Sequence, residues 1–411
     1  MTKTVMPAYV QSFVCDGQRC PDNCCLGTWR IHVDEPHYRR LKKVTDPVVK
    51  PLVDKYVKRN RNRPNRNSFA KLLQDRGQNQ CAFLSEDRLC GLQQRLGADY
   101  LHDVCMLYPR LTNEIIGHPL ERSLSLSCPL AAELALLDPD SMTFVEVDLD
   151  LQGREMFHRA LNPYAGRDKR PALAHALALR QFTIRVLKTR DLPLWKRLVI
   201  LGIFFDKVQQ RLDAGEVDRI PAEINQYTQM VVDNSLSQSL DGIVEDATLP
   251  MKLAKEVMTQ KISSSKSRDL MTLFVQSLAG IGFNSDDSDE VNGQRYQQVC
   301  REAYEPFMAS REYLLENYLV NHVFSNIFPM NRQTPMDSFA MMAVQYAVIK
   351  MLLVGQAGLQ RDNFAESHVV NVVQKFVKGV EHSPQFLDRV HDQLAEKGLL
   401  SMGYMAILVR N

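Results

Sequence analysis

Four of the nine cysteines in this chain crowd into the eleven residues CDGQRCPDNCC at 15–25, and four more follow by residue 128. The spacing is Cys15-x4-Cys20-x3-Cys24-Cys25, then Cys81-x8-Cys90-x14-Cys105-x22-Cys128, and Cys300 alone lies beyond. The opening MTKTVMPAYVQSF lacks the apolar stretch of a secretory signal. A cytoplasmic protein is therefore expected, and a reducing compartment disfavours structural disulfides. Clustered thiols there serve metal or chemistry, with disulfides and unconnected buried cysteines as the other readings. Thiolates are soft ligands suited to zinc and to iron–sulfur clusters, and either takes four. The candidate pool is Cys15, Cys20, Cys24, Cys25, Cys81, Cys90, Cys105 and Cys128, of which at least four are expected to bind. Eight exceed one site, so either two sites exist or one site has spare cysteines. Adjacent Cys24 and Cys25 point apart on most backbones, so one of them serves any single metal corner. Cys128, in SCPLAAEL, precedes a proline at a predicted helix start, where exposed amides can reach a sulfur. His32, His37, His102 and His118 lie in the same region, and each could replace a thiolate. A radical S-adenosylmethionine motif needs cysteines at i, i+4 and i+7. Cys20 and Cys24 fit, but Gly27 stands at the third position, and the frame from Cys15 fails at Arg19.

The first 130 residues are punctuated by prolines and read as irregular. WRIHVD at 29–34 alternates as a short strand would, and Asp34 with Pro36 opens a helix. Residues 50–66 carry seven Lys or Arg against one Asp and read as a solvated loop. Aromatics interleaved for base stacking are missing there, and the formal net charge of +2 gives no pull toward nucleic acid or membrane. From about residue 131 apolar spacing of three to four predicts helix after helix: 171–190, 193–212, 221–236, 250–262, 268–279, 293–322, 336–355, 363–379 and 384–398. MMAVQYAVIKMLLVG, interrupted by Gln345 and Lys350, reads as a buried helix rather than a membrane span. The acidic, turn-rich NSDDSDEVNG at 284–293 reads as a loop and subdomain boundary. LAGIGFNSDD and VGQAGLQRD follow helical segments, so their glycines read as helix ends rather than nucleotide-binding turns. The expected fold is mostly α and non-Rossmann. An irregular cysteine-rich metal-binding domain spans 1–130, and a multi-helix domain spans 131–411.

Three blocks, FVCDGQRCPDNCCLGTWRIHVD, CAFLSEDRLCGLQQRLGADYLHDVCMLYPR and LSLSCPLAAEL, resemble the flagellin lysine-N-methylase family. Their N-terminal part is similar to a broader set of cysteine-rich zinc- or iron-chelating domains. The resemblance covers the order of the eight cysteines, Trp29 after the double cysteine, and Cys105-Met-Leu-Tyr108-Pro109-Arg110. That chelating pattern is usually C-x2-C-x2-CC, whereas here the gaps are four and three, and Leu130 stands where an acidic residue is usual. The resemblance implies methyl transfer from S-adenosylmethionine to the ε-amine of surface lysines of flagellin in the bacterial cytosol. It also implies an iron–sulfur cluster, 4Fe–4S in type, with zinc as the alternative.

Lysine methylation needs a neutral amine and a site for a sulfonium cation. Tyr108 is the candidate catalytic residue, to orient the amine or face the sulfonium. Arg110 and Trp29 are the candidate cofactor-binding residues, Arg110 for the cofactor carboxylate. A packed turn is the plainer reading of Tyr108-Pro109-Arg110, and a core anchor that of Trp29. Asp99 and Asp103 are further candidate proton acceptors. Two other functions fit the thiols: a non-enzymatic, metal-stabilised adaptor that binds a protein partner, and an iron–sulfur redox protein.

Overall fold

The computed structural model describes residues 1–26, 31–62, 64–75, 77, 80–150, 157–249, 251–253, 268–380 and 384–411. β1 (Thr2–Pro7) opens the chain. A small unit follows, in which β2 (Ile31–Val33), β3 (Val57–Arg59) and β4 (Ala70–Leu72) form an antiparallel sheet around the central β4. α1 (Glu35–Lys42) and α2 (Val49–Tyr56) pack on it, and β5 (Gln74–Asp75) pairs with β6 (Gln80–Cys81). As expected, Asp34 caps α1, its Oδ1 accepting the His37 amide at 3.0 Å. The expected loop at 50–66 is in part helix and strand: α2 buries Val49, Val53 and Tyr56, and its lysines cover the outer face. α3 (Gly91–Leu96) and α4 (Asp103–Leu107) complete this unit.

β7 (Arg110–Ile115) and β8 (Leu120–Leu124) form a hairpin that the alternation rule missed. The miss has a physical cause, since Thr112, Asn113, Glu121 and Ser123 are buried polar residues interrupting the apolar pattern. With β1, β9 (Phe144–Leu149) and β10 (Phe157–Leu161) they make a five-stranded sheet in the order β10-β7-β8-β1-β9. β1 runs parallel to β8, and β10 parallel to β7. α5 (Pro129–Leu136) follows β8.

The rest is helical, as read from the sequence, and holds no doubly wound sheet among the described residues. It comprises α6 (Ala176–Leu187), α7 (Leu194–Asp213), α8 (Ile220–Val232), α9 (Arg268–Ile281), α10 (Asp289–Val299), α11 (Tyr313–Ser325), α12 (Pro335–Gln360), α13 (Glu366–Val380), α14 (Pro384–Glu396) and α15 (Met402–Arg410), with shorter turns between. The helix expected at 250–262 falls largely outside the described residues. The one expected at 293–322 is broken into α10, the turns Cys300–Tyr304 and Glu305–Met308, and α11. Pro335–Asn363 is apolar and long enough to cross a membrane, and its most apolar eighteen-residue stretch is wholly buried inside the protein.

Two expectations about turns are corrected. The acidic run at 284–293 is loop and turn only as far as Ser288 and then a helix start: the Ser288 side chain caps α10, and Asp289 and Glu290 lie in the first turn, where carboxylates favour the helix dipole. Gly355 and Gly358 lie inside α12, not at its end. A Cβ on Gly280 would overlap the Gly355 carbonyl, so these glycines let α9 and α12 cross backbone to backbone. Gly282, with φ +75°, does end α9 as predicted.

Two hydrophobic cores result. The larger takes β1, the five-stranded sheet, α5 and the helices, including Cys300. The smaller takes the unit from Val33 to Leu101.

Candidate functional site

Cys15, Cys20 and Cys24 ride on a loop that the helical part grips from one side. Both Asp22 carboxylate oxygens accept from Lys378 Nζ at 2.6 Å, and Asp22 also takes Gln374 Nε2 at 2.8 Å. Gln374 Nε2 further donates to the Ser127 carbonyl at 2.8 Å, so α13 holds the cysteine loop and the turn before Cys128 together. Asn23 closes the loop internally, donating to the carbonyls of Gly17 (3.0 Å) and Arg88 (2.9 Å). Cys128 is the N-cap residue of α5 without a side-chain hydrogen bond to the helix, and the nearby Leu130 and Ala131 amides favour its thiolate. Cys15 and Cys20 lie near enough to Cys128 to raise its pKa by their charge, and Cys24 and Cys15 act on Cys20 in the same way.

The other four thiols belong to the smaller core. Cys81 is buried in it, and Cys25, Cys90 and Cys105 pack against it. The Cys81 amide donates to the Cys25 carbonyl at 2.8 Å. The Cys25 thiol is hydrogen-bonded to the sulfurs of both Cys24 and Cys81. Cys90 is the N-cap residue of α3 without a side-chain hydrogen bond to the helix, and the nearby Leu92 and Gln93 amides favour its thiolate. Cys105 Sγ lies 3.1 Å from His102 Nε2.

Burial pushes the thiols of Cys15, Cys20, Cys90 and Cys105 up, and that of Cys128 up to about 11. The hydrogen bond from Cys25 brings Cys24 down to about 7, lowers Cys81, and holds the Cys25 proton in place. A bound cation converts such desolvated thiols into thiolates. The donor set is chemically suited to one, being rich in sulfur. Among the described residues no three of these sulfurs lie within 4.8 Å of one another. A zinc tetrahedron with Zn–S bonds of about 2.3 Å needs sulfurs about 3.8 Å apart. In an iron–sulfur cluster each iron takes its own thiolate, so the sulfurs stand farther apart than in a zinc tetrahedron.

Beside Cys20 and Cys128, Pro21, Asp22 and Pro129 form one wall of a cavity of about 970 Å³. Across it stand Phe307, Arg311, Phe364, Glu366 and Gln374, with Glu133 and Asp269 at its sides. Phe307 and Phe364 meet edge to face with centroids 4.7 Å apart. Glu366 accepts from Arg311 Nε at 3.1 Å, and Asp22 is held by Lys378. Glu133 makes no ion pair among the described residues, which leaves a carboxylate on the wall for a cationic guest.

Tyr108 and Arg110 stand at the Cys15–Cys20–Cys128 group rather than on the cavity wall. The Tyr108 hydroxyl pairs with Ser127 Oγ at 3.0 Å, and burial raises its pKa well beyond the phenol range, so it remains a neutral hydroxyl. Arg110 is half-buried near Cys15 and Cys128, its guanidinium 5.1 Å from the Phe13 ring centre. Trp29 lies outside the described residues. Asp103 lies in the smaller unit, within 4.8 Å of Asp34 and His37, and neither it nor Asp99 borders the cavity. Glu133, Phe307, Phe364 and the Asp22–Lys378 clamp were missed by sequence reasoning. Their only advance signal was the proximity of Asp22 and Glu133 to cysteines.

Residues 180–408, more than half of the chain, match the family model described as the FliB lysine N-methylase C-terminal domain. The chain is 24% identical over 395 residues to a lysine-N-methylase of Salmonella typhimurium, covering 94% of this chain and 93% of that one. It is equally similar to a lysine-N-methylase of Salmonella choleraesuis over the same extent. It is also 31% identical over 141 residues to the flagellar biosynthetic protein FliU of Salmonella muenchen, covering 34% of this chain and 80% of that one. No solved structure matches. The matched residues 180–408 contain α7 to α14 and most of α15, including the helix that clamps the cysteine loop, and on that match the chain belongs to the FliB lysine N-methylase family.

Proposed function

We propose that the protein transfers methyl groups from S-adenosylmethionine to the ε-amine of flagellin lysines in the cytoplasm, within the cavity between the cysteine loop and α13. The observation that carries this reading is the cavity itself. It joins an unpaired carboxylate and two aromatic rings, and it abuts a thiol group, in a chain of a lysine N-methylase family. Its volume lies at the upper end of the ~300–1,000 Å³ usual for ligand sites, room for a nucleoside-bearing donor and a lysine side chain together.

The reaction is an in-line displacement. The amine lone pair forms the nitrogen–carbon bond as the carbon–sulfur bond of the sulfonium breaks, leaving a neutral thioether. An exposed lysine, with a pKa of about 10.4, must first lose its proton. Glu133 binds the incoming ammonium and receives that proton, and enclosure of the methylenes by Phe307 and Phe364 favours the uncharged amine. The same aromatic faces stabilise a neighbouring sulfonium. An iron–sulfur cluster on Cys15, Cys20, Cys24 and Cys128 would supply a binding contact for the cofactor beside Pro21 and Pro129. Tyr108 and Arg110 steady that group from behind, Tyr108 through Ser127.

Mass spectrometry of flagellin incubated with anaerobically purified protein and S-adenosylmethionine tests the reading. Lysine mass increases in methyl steps, dependent on the cofactor, are expected. Glu133→Gln should slow them by about 10²–10⁴-fold, the range for a lost proton-transfer group. No mass increase from protein with its full metal complement would overturn the reading.

A further inference from the structure

A second cavity, of about 450 Å³, opens where β10, the α11–α12 connection and α14 converge. It shares no lining residue with the cavity beside the cysteine loop. We infer that it binds a small zwitterion of the amino-acid type, its carboxylate toward His322 and Arg332 and its ammonium toward the aspartates of α14. The inference stands apart from the reading of the methylation cavity.

The buried end holds two polar atoms that lack partners. His322 is 6% exposed, and beside it Arg159 Nη2 donates to Asn326 Oδ1 at 3.0 Å. That bond turns the Asn326 amide nitrogen to His322 Nδ1, 3.4 Å away. An amide nitrogen only donates, so Nδ1 accepts and the ring proton sits on Nε2. Burial, with Arg159 and Arg332 adding to it, brings the imidazole pKa down to about 4, which keeps the ring neutral. Nε2 is buried with no partner among the described residues, and so is Asn331 Oδ1. A buried donor and a buried acceptor on one cavity are costly until an occupant pairs with both.

The walls are built in advance of any ligand. Arg170 Nη2 donates to the carbonyls of Met330 and Arg332 at 3.1 and 2.7 Å, and Ser338 Oγ donates to the Pro329 carbonyl at 2.7 Å. These bonds fix the connection that carries Asn331 and Arg332. Packed interiors leave few voids larger than a water molecule. The volume here lies within the ~300–1,000 Å³ usual for ligand sites.

Charge decides what fits. Arg159 and Arg332 both act on His322, so positive charge gathers at the buried end. Arg332 is largely buried, and its ion pair to Asp388 is a long 3.4 Å. Asp388 and Asp392 are 63% and 71% exposed at the mouth. Asp337, also on the wall, has Oδ1 3.3 Å from His391 Nε2. A phosphate dianion would meet like charge at the mouth, and a simple amine would meet it at the buried end. A molecule with a carboxylate at one end and an ammonium at the other satisfies both. The Arg332 fork and His322 Nε2–H donate to the carboxylate, and an N–H or O–H of the same molecule supplies Asn331 Oδ1.

Isothermal titration calorimetry of the full-length protein with each of the common amino acids tests the inference. At least one should bind, at a single site per chain. Its decarboxylated amine and its deaminated acid should each bind at least about tenfold more weakly, and so should the amino acid to Arg332→Gln and to Asn331→Leu. If a variant fails to fold, the comparison of analogues on the wild type still decides. Binding by no amino acid would overturn the proposal, because ordered water alone would then fill the cavity. Equal binding of the deaminated acid would overturn it in favour of a simple anion site. Binding kept by Arg332→Gln and Asn331→Leu but lost in Glu133→Gln would place the ligand in the other cavity. S-adenosylmethionine should bind Arg332→Gln as it binds the wild type, and its loss there would overturn a separate site. Failure of flagellin methylation leaves the proposal untouched.

Discussion

His322 sits in α11 with its ring fully enclosed, and burial, reinforced by Arg159 and Arg332, brings its pKa down to about 4. In the unfolded chain it returns to about 6.5, so between those values the unfolded state binds the extra proton. The folded state therefore keeps its full advantage above pH about 6.5 and loses it as pH falls toward 4, by about 3 kcal/mol at the lower end. Urea midpoints between pH 4 and 7 should fall more gently for His322→Gln than for the wild type. Identical slopes would mean that this imidazole does not govern acid stability. Nothing in the sequence marks His322, because its environment comes from β10 and the α11–α12 connection. Asp34 was legible, since a cap acts on amides two or three residues away.

At the scale of elements, the crossing of α9 and α12 shows how the same residue type changes meaning with context. Gly355 Cβ space is filled by the Ser277 backbone and side chain, while nothing lies within 4 Å of the corresponding position on Gly403 in α15. Gly355→Ala should thus destabilise by about 1–3 kcal/mol through overpacking. Gly403→Ala should stabilise by up to about 1 kcal/mol through helix propensity. Thermal denaturation of both variants checks the pair, and stabilisation by Gly355→Ala would refute the close crossing. A glycine after a helical stretch reads locally as a helix end, and only the partner helix reveals the other role. The basic segment at 50–66 misled for a related reason: its lysines hide an apolar stripe of Val49, Val53 and Tyr56 one turn apart.

For the whole molecule, the decisive contact is the clamp of α13 on the cysteine loop, which joins residues more than three hundred positions apart. Lys378→Ala should free Asp22 and slow methylation at least about tenfold, equivalent to about 1.4 kcal/mol in the barrier. As a partly exposed pair, it should change global stability by no more than about 1 kcal/mol. Unchanged turnover with the loop released would show that the clamp does not shape the cavity. The sequence by itself determined the mostly helical character, the buried nature of the apolar stretch around Lys350, and the thiols as metal-site candidates. Those properties follow from residue type and short-range periodicity. Only the tertiary structure decided the five-stranded sheet, the packing of Cys25, Cys81, Cys90 and Cys105 on the smaller core, and the cavity with Glu133, Phe307 and Phe364. These depend on long-range pairing and on buried polar residues satisfied by distant partners, which no local pattern records.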